Sequence, residues 1–310
     1  MNVLSLFDGM SCGRLALERA GVKVDNYFAS EVDRYAIQTA RALYPDTIQL
    51  GGIQEVKAAD LPKIQLLCGG SQCQGFSRAG KGGKFDDPRS TLFWEFKRLL
   101  DECKPDYFLL ENVRMDKYSE GVISDALGLD PVVINSTLVS AQNRVRLYWS
   151  NIRTVKHTMF GHLKTDMPQP EDRGVLLRDV LETPGVTPDK SQCIQATIYK
   201  ENPKSMLQRG KMGLLVNENI HWRKLTPREC GRLQTVPEWA IDRMLETVSD
   251  TQAYKMLGNG FTVEVIAHIF SFLPDEFKQK EEANGSEARI RAKANQARQS
   301  GTDRRADNRP

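Results

Sequence analysis

Short apolar runs alternate with helix-like stretches along the first half of the chain. The runs have the length of buried strands, and the stretches between them repeat apolar residues three and four positions apart, as amphipathic helices do. This alternation predicts an α/β fold in which helices cover both faces of a parallel sheet. The predicted strands are Val3–Phe7, Tyr27–Ser30, Ile64–Cys68, Tyr107–Leu110, Val132–Asn135 and Val145–Trp149, and the predicted helices include Arg14–Ala20, Arg34–Leu43 and Thr91–Cys103. Ligands of such sheets bind at the carboxyl ends of the strands.

The regular pattern ends near residue 154 and returns near residue 225. Prolines, glycines and polar residues interrupt the segment between, which predicts a small separate lobe of irregular structure. Thr226 as N-cap, Pro227 and Glu229 then predict a helix start with a capping box, and a last helix is expected over 262–272. The resulting division is a main domain at 1–153, the lobe at 154–223, a return to the main domain at 224–274, and a tail at 275–310 that we expect to be disordered because it has few core residues.

Composition excludes several classes of protein. With 310 residues, 40% of them hydrophobic and 27% charged, the chain is unlike collagen, coiled coils and fully disordered proteins. No apolar run approaches the roughly 18–20 residues that span a membrane, and the first residues lack the basic start of a secretory signal. Six cysteines without a CxxC pair suit a reducing compartment, and the four histidines lack the spacing of metal ligands. We therefore expect a cytoplasmic protein that binds no metal.

The net charge of +3 is unevenly placed. Residues 289–310 contain seven Lys and Arg against two Asp, so the other residues sum to −2. Charge alone therefore leaves nucleic-acid binding undecided. The tail is expected to add a salt-sensitive attraction to DNA that does not depend on sequence.

The first candidate site is Phe7-Asp8-Gly9-Met10-Ser11-Cys12-Gly13, which follows a predicted strand and opens a helix. Glycines at such a turn let backbone N–H groups approach a ligand. Glu31 ends the next predicted strand, where an acid can accept hydrogen bonds from both hydroxyls of a ribose. Taken alone, the turn is equally compatible with a tight strand-to-helix connection.

The second candidate is Cys73, in the loop that follows Gly69-Gly70. A cysteine on an irregular loop at the carboxyl edge of a sheet is well placed to be a nucleophile. The alternative is a buried structural thiol, which is a common fate of cysteine. The glycine-rich segment 80–84 has the composition of a flap that closes over a substrate.

Three further motifs fall at strand ends. Glu111 comes just past a predicted strand on the same edge as Cys73, although an acid there could also stabilise a helix start. Arg144 and Arg146 are two residues apart in an extended segment and point the same way. Arginine suits phosphate or carbonyl recognition, although solvated charges on an edge strand would have the same pattern. Gly258-Asn259-Gly260 forms a predicted turn before the last helix.

In this order, the five motifs resemble those of the DNA (cytosine-5)-methyltransferases. The resemblance covers about residues 2–151 and 223–273. The opening FDGMSCG is similar to that of the eukaryotic de novo enzymes, whereas RKLTPRECGRLQ and MLGNG are similar to bacterial or phage enzymes. The resemblance implies an α/β, Rossmann-like sheet that binds S-adenosylmethionine, with a small target-recognition lobe. Any single motif has another explanation, but the ordered set of five is specific.

The resemblance implies a covalent mechanism on cytosine. In the family, a cysteine thiolate adds to C6, which makes C5 able to attack a sulfonium methyl. Cys73 matches that nucleophile, Glu111 the acid at the N3 edge of the base, and Arg146 the donor to the base carbonyl. Arg144 matches a neighbouring position that faces phosphate. A free thiol with a pKa of ~8.5 is mostly protonated at neutral pH, so Arg146 would also help ionisation. Because C5 and C6 are inaccessible in a stacked duplex, the cytosine must be flipped out.

The resemblance also implies a cofactor site at the strand edge. Phe7 is expected to stack on adenine, Gly9 and Gly13 to give backbone room, and Glu31 to hold the ribose. The implied cofactor-binding residues are Phe7, Asp8, Gly9, Met10, Ser11, Gly13, Glu31, Val32, Ile53, Leu92 and Asn259.

Two positions depart from the family pattern. The residue before the catalytic cysteine is Gln72 instead of proline, which removes a constraint on φ in the loop. Gly52 stands before Ile53 where the family has an aspartate that accepts from the adenine amino group. Losing that hydrogen bond is expected to weaken cofactor binding by roughly 1 kcal/mol.

Three functions are compatible with these residues. The first is methylation of double-stranded DNA by a monomeric enzyme of bacterial or phage type. The second is methylation of tRNA, whose enzymes carry Pro-Pro-Cys and Cys-Phe-Thr elements that are absent from this sequence. The third is a DNA-binding relative without catalysis, suggested by Gln72 and Gly52. For DNA, positive charge is expected from Lys81, Lys84, Arg144 and the lobe.

Overall fold

A mixed sheet forms the centre of the molecule. The structure, a computed structural model, describes residues 1–70, 91–156, 163–218 and 221–279. Its strands are β1 (Asn2–Leu6), β2 (Asn26–Ser30), β3 (Ile48–Gly51), β4 (Leu66–Gly70), β5 (Tyr107–Val113), β6 (Leu129–Asp130), β7 (Val132–Asn135), β8 (Val145–Ser150), β9 (Thr154–Lys156), β10 (Leu163–Thr165), β11 (Leu215–Glu218) and β12 (His221–Lys224). Seven of these pair in the order β3-β2-β1-β4-β5-β8-β7.

The sheet is parallel except at β8. The four pairs formed among β1 to β5 are parallel, whereas β8 runs antiparallel to both β5 and β7. The prediction of a parallel sheet was therefore wrong at this edge. The connection from β7 to β8 spans only residues 136–144, which is too short for the crossover that a parallel pair needs.

Helices pack on both faces of the sheet, as predicted. They are α1 (Cys12–Arg19), α2 (Arg34–Leu43), α3 (Thr91–Cys103), α4 (Lys117–Leu127), α5 (Pro203–Gln208), α6 (Pro227–Leu233), α7 (Glu238–Thr247), α8 (Asp250–Asn259) and α9 (Val263–Phe270). Alternate strand residues point to two separate cores. Val3 and Leu109 pack with α1 and α9, whereas Leu4 and Leu110 pack with α3 and α4. Apolar residues on both strand faces explain why the strands appear as continuous apolar runs.

Side chains cap the starts of α2, α4, α5 and α6. Asp33 caps α2 by accepting from the backbone N–H groups of Tyr35 and Ala36. The predicted capping box at α6 is confirmed, because the Thr226 side chain accepts from the Glu229 N–H and the Glu229 carboxylate accepts from the Thr226 N–H. In the described ranges, no helix is both long and apolar enough to cross a bilayer.

Short elements make up the segment from 154 to 224. β9 and β10 pair beside β6, β11 and β12 form a two-stranded ribbon, and α5 is the α-helix in its described part. Residues 191–198 of this segment contact the sheet domain and pass beside α8. This crossing brings part of the segment to the site described below.

Candidate active site

A cleft opens at the carboxyl ends of β1, β2 and β4. Of the predicted site residues, Phe7, Asp8, Gly9, Glu31 and Asn259 line it. Cys12, Gly70 and Gly260 also line it; they belong to the candidate motifs but were not assigned to the cofactor. Sequence reasoning missed the other lining residues, which are Asp33, Ala36, Lys255, Met256 and Phe261. Phe261 could have been found, because it directly follows the Gly258-Asn259-Gly260 motif. The cleft lies where ligands of α/β sheets bind.

The segment after β1 makes a tight turn with three residues in the left-handed region. Phe7, Gly9 and Ser11 have φ of 57°, 60° and 62°. Only Gly9 adopts this conformation without steric cost, so the other two are held there by the surrounding structure at a cost of about 1–2 kcal/mol each. The turn aims the Gly9 N–H across the cleft to the Glu31 carboxylate at 2.9 Å.

Glu31 is held rigidly by backbone donors. Its Oε2 accepts from the Gly9 N–H, and its Oε1 accepts from the N–H groups of Val32 and Asp33 at 2.7 and 2.9 Å. A carboxylate has about four acceptor positions. Three are therefore filled, and the remaining position on Oε2 is the one that can accept from a ligand hydroxyl.

Asp8 is a buried acid beneath the cleft. Its carboxylate accepts from the Tyr27 hydroxyl at 2.7 Å and from the Ser11 hydroxyl at 2.6 Å. Burial raises the pKa of Asp8 above its ordinary value, although these hydrogen bonds act in the opposite direction. The contacts tie the turn to β2.

The remaining predicted residues of the turn pack against protein. Met10 and Ser11 are 1% and 0% exposed. Gly13 permits the close approach of α1 to the sheet, since a Cβ there would lie 3.2 Å from the Tyr27 hydroxyl and 3.7 Å from the Cys68 Sγ. None of these three side-chain positions lines the cleft, so their contribution is to the shape of the turn.

Three predicted cofactor residues lie on neighbouring elements. Ile53 is buried at the start of a short 3₁₀ helix, and Leu92 in α3 packs with Phe7 against the same core. Val32 follows Glu31 and is 76% exposed. The structure thus gathers Phe7, Ile53 and Leu92 on one side of the sheet and leaves Val32 at the surface.

Glu111 and Arg146 form an ion pair beside the cleft. Arg146 Nε lies 3.0 Å from Glu111 Oε1, and both side chains are nearly buried. Glu111 was predicted just past a strand but lies within β5, directly opposite Tyr148 of β8, while Arg146 pairs with Val113. The acid and the arginine therefore meet diagonally on one face of the sheet.

Gly70 joins this ion pair to the cleft. It lines the cleft and stands opposite Glu111 in the β4–β5 pair. A Cβ at position 70 would lie 3.0 Å from Glu111 Oε2 and 2.8 Å from a ring carbon of Phe261. A residue without a side chain therefore lets the carboxylate and the cleft come together.

Arg144 does not face solvent, so its predicted phosphate-facing position was wrong. Its side chain is buried, with 3% of the residue exposed. The guanidinium donates to the carbonyls of Ile194, Gly258 and Gly260, with the shortest contact at 2.9 Å to Gly260. A buried arginine is tolerated here because backbone carbonyls and a thiol satisfy its donors. It braces the end of α8, where Asn259 lines the cleft.

Several predicted residues lie outside the described ranges. These are Cys73, the neighbouring Gln72, and the loop lysines Lys81 and Lys84. Among the described residues, no group of three or more His, Cys, Asp and Glu side chains is arranged to hold a metal.

Comparisons with known proteins identify the family. Residues 1–122 and 207–274 match the model of the C-5 cytosine-specific DNA methylases. The chain belongs to this family. It is a DNA (cytosine-5) methyltransferase, as its ordered motifs predicted.

Two bacterial methyltransferases resemble the chain over most of its length. It is 31% identical to type II methyltransferase M1.ScrFI of Lactococcus lactis subsp. cremoris, over 86% of this chain and 76% of the relative. It is also 31% identical to type II methyltransferase M.NlaX of Neisseria lactamica, over 86% and 94% of the two chains. The match therefore includes the segment between the two family blocks.

The solved structure of Entamoeba histolytica methyltransferase EhMeth has the same fold. It superposes with a TM-score of 0.69 at 15% identity, covering 90% of this chain and 99% of that chain. The predicted α/β, Rossmann-like methyltransferase fold is thereby confirmed.

Proposed function

We propose that the chain transfers a methyl group from S-adenosylmethionine to C5 of a flipped-out cytosine in double-stranded DNA, through a temporary bond between Cys73 and C6. The observation that carries this proposal is the position of the Glu111–Arg146 pair, one residue, Gly70, away from the cleft. This arrangement offers an acid and an arginine that can bind a base, next to the cleft proposed for the cofactor.

The cleft residues fit the proposed cofactor. The open acceptor position of Glu31 Oε2 suits a ribose hydroxyl, and Phe7 offers an aromatic ring at the rim. Phe261 and Asn259 line the same cleft, and Gly9 presents backbone without a side chain. When bound, S-adenosylmethionine supplies a methyl group on a positively charged sulfur. The roles of Met10, Ser11 and Gly13 in this proposal are to hold the turn.

The chain's own residues activate the base. The Cys73 thiolate adds to C6 as the C5–C6 π bond breaks. Glu111, in its carboxylic-acid form, passes a proton to N3, and Arg146 donates to the carbonyl oxygen, so the charge released onto the ring is neutralised. C5 uses the electron pair of the broken π bond to take the methyl group. Water then takes the C5 proton, the C5–H bonding pair re-forms the C5–C6 double bond, and the C6–S bond breaks to release the Cys73 thiolate. The N3 proton returns to Glu111. The arginine must be in place before charge develops on the base, which its fixed position beside Glu111 favours.

DNA is favoured over tRNA as the substrate. The family is named for DNA methylation, and the two relatives carry type II methyltransferase names, which also supports a place beside a restriction nuclease. In the lobe, Lys211 and Arg209 pair with Glu201, and Arg223 pairs with Glu229. Each of these three cations already has a carboxylate partner within the chain, in the lobe for Lys211 and Arg209 and in α6 for Arg223. DNA contacts are therefore proposed for the other basic residues of the lobe.

Transfer of labelled methyl to unmethylated plasmid DNA tests the proposal. The full chain should label duplex DNA more efficiently than tRNA, and Cys73→Ser should abolish labelling while calorimetry still detects S-adenosylmethionine binding. Near-normal transfer by Cys73→Ser would exclude the covalent mechanism. A preference for tRNA over duplex DNA would exclude DNA as the main substrate. Bisulfite sequencing of host DNA after expression would then identify the methylated sequence.

A further inference from the structure

A short strap from the small lobe lies across the two arginines of the proposed active site. We define the strap as residues 191–196. It is fixed at its start by hydrogen bonds from the Ser191 N–H to the Ala141 carbonyl at 2.7 Å and from the Asn143 N–H to the Ser191 carbonyl at 2.9 Å. The strap therefore enters the site directly beside the segment that carries Arg144 and Arg146.

The middle of the strap is held by a buried glutamine. The Ile194 N–H donates to Gln142 Oε1 at 2.9 Å, and Gln142 Nε2 donates in turn to Gln234 Oε1 at 3.1 Å. Gln142 and Gln234 are both fully buried. A satisfied buried network of this kind specifies one arrangement of its members.

The end of the strap packs on α8. A Cβ at Gly258 would lie 2.2 Å from the Ala196 nitrogen, so only glycine permits this approach. Since Asn259 is the next residue, the strap spans from the arginines to the cleft. Its position is thus defined at both ends and in the middle.

Cys193 is the strap residue that contacts both arginines. Its Sγ accepts from Arg144 Nη1 at 3.3 Å and from Arg146 Nη2 at 3.6 Å. Arg146 has two further acceptors, Glu111 Oε1 for Nε and the Val145 carbonyl for Nη1. Three acceptors on three different nitrogens fix the plane of this guanidinium.

We propose that Cys193 is a positioning residue that orients Arg146 toward the target base, so that the small lobe completes the active site. This rests on the proposed function, in which Arg146 donates to the base carbonyl. Because Cys193 acts through Arg146, its loss should slow the chemical step without weakening cofactor binding.

Replacement of Cys193 in the full chain tests this role. Cys193→Val has similar size but no acceptor, and it should lower kcat about tenfold, as a small misplacement of a reacting group can. The KM for S-adenosylmethionine and the melting temperature should stay near those of the unaltered chain. Cys193→Ser, which restores an acceptor, should recover most of the loss, and the control Cys103→Val, in a half-buried thiol at the end of α3, should have little effect.

A double-variant cycle decides whether the effect passes through Arg146. In an Arg146→Lys background, Cys193→Val should cause no further loss of kcat. The proposal is overturned by normal kcat in Cys193→Val, by equal losses in the Ser and Val variants, or by additive losses in the cycle. If the unaltered chain transfers no methyl to DNA, the proposed function fails. The proposed role of Cys193 in catalysis then fails with it, whereas normal kcat in Cys193→Val beside an active unaltered chain overturns the role of Cys193 alone.

Discussion

Arg144 Nη2 lies 2.9 Å from the carbonyl oxygen of Gly260, which joins the strand that carries the proposed base-binding arginine to the end of the helix that borders the cleft. The same guanidinium reaches the Gly258 carbonyl at 3.4 Å. A charge this deeply buried stabilises one geometry of the turn instead of attracting DNA.

Replacing Arg144 should therefore affect the fold and the cofactor. We expect Arg144→Met to lower the free energy of unfolding by about 2–4 kcal/mol, because several buried carbonyls lose their donor. It should also weaken S-adenosylmethionine binding in calorimetry. The salt dependence of DNA binding should not change, because no phosphate contact is lost. Arg153→Met is the control, since its pair with Asp166 is about half exposed and should contribute less than about 1 kcal/mol. If DNA binding by Arg144→Met depends less steeply on salt than binding by the unaltered chain, Arg144 contacts phosphate after all.

The Glu111–Arg146 pair should matter for catalysis more than for cofactor binding. Glu111→Gln keeps the shape of the side chain but removes its charge, and we expect kcat for DNA methylation to fall at least about 100-fold, as for loss of one preorganised group at a reacting centre. Calorimetric binding of S-adenosylmethionine should change little, because Glu111 does not line the cleft. Equal losses of kcat and of cofactor affinity would contradict this separation.

Much of the fold could be predicted from the sequence, because its cues are local. The strands are buried on both faces, so their continuous apolar runs predicted the sheet. The helices Arg34–Leu43 and Thr91–Cys103 have the predicted bounds. The capping box at Thr226 was likewise local. The direction of β8 was not predicted from the pattern, because strand sequences alone do not distinguish parallel from antiparallel pairing.

The site was predictable in part for the same reason. Phe7, Gly9, Glu31 and Asn259 follow or end elements that the sequence marks, and they meet at the cleft. Arg144 was misplaced because its acceptors, Gly258 and Gly260, are more than 110 residues away in the chain. Cys193 was missed because it meets the arginines only through the tertiary path of the strap. Long-range contacts leave no periodicity in a sequence.

Gly70 should tolerate no side chain. In Gly70→Ala the new Cβ would meet Phe261 and Glu111 at 2.8 and 3.0 Å, so at least one of them must move. We expect kcat to fall at least about tenfold, since catalysis is sensitive to displacements below 1 Å. Gly121→Ala is the matched control, because nothing lies within 4 Å of its Cβ position in α4. That change should stabilise the protein by about 0.5–1 kcal/mol in urea unfolding and leave kcat unchanged. Normal kcat in Gly70→Ala would show that Phe261 and Glu111 can move away from position 70 without harm to catalysis.

Asp8 should make stability fall as pH rises. Burial raises the pKa of Asp8 in the folded protein above its unfolded value, so the folded state holds more protons between the two values. Stability from this group is therefore present at low pH and is lost as pH rises through the folded pKa. Asp8→Asn removes this titration, so its stability relative to the unaltered chain should increase from pH 4 to pH 8 in urea unfolding. The difference for Asp25→Asn should instead stay constant from pH 4 to pH 8, because the amino terminus lowers the pKa of Asp25 and its titration falls below this range. If the stability difference between Asp8→Asn and the unaltered chain does not change with pH, the pKa of Asp8 is not raised in the folded protein.

Gly52 is the position at which cofactor affinity should be easiest to raise. Its φ of −70° and ψ of 143° suit any residue, and the nearest atoms to a Cβ would lie at 3.7 Å. An aspartate should therefore fit, and one added hydrogen bond of about 1 kcal/mol would tighten S-adenosylmethionine binding about fivefold. The neighbouring Gly51 cannot serve, because its φ of 78° disfavours a side chain.

Glu55 sets the limit on that gain. Its Cδ lies 3.9 Å from the Cβ position of residue 52, so a new carboxylate at Gly52→Asp would stand beside a like charge. We expect the double variant with Glu55→Gln to bind S-adenosylmethionine more tightly than Gly52→Asp alone, measured by calorimetry. Gly52→Ala is the control for backbone effects and should leave affinity unchanged. If Gly52→Ala improves binding as much as Gly52→Asp, the gain comes from a stiffer loop and not from the carboxylate.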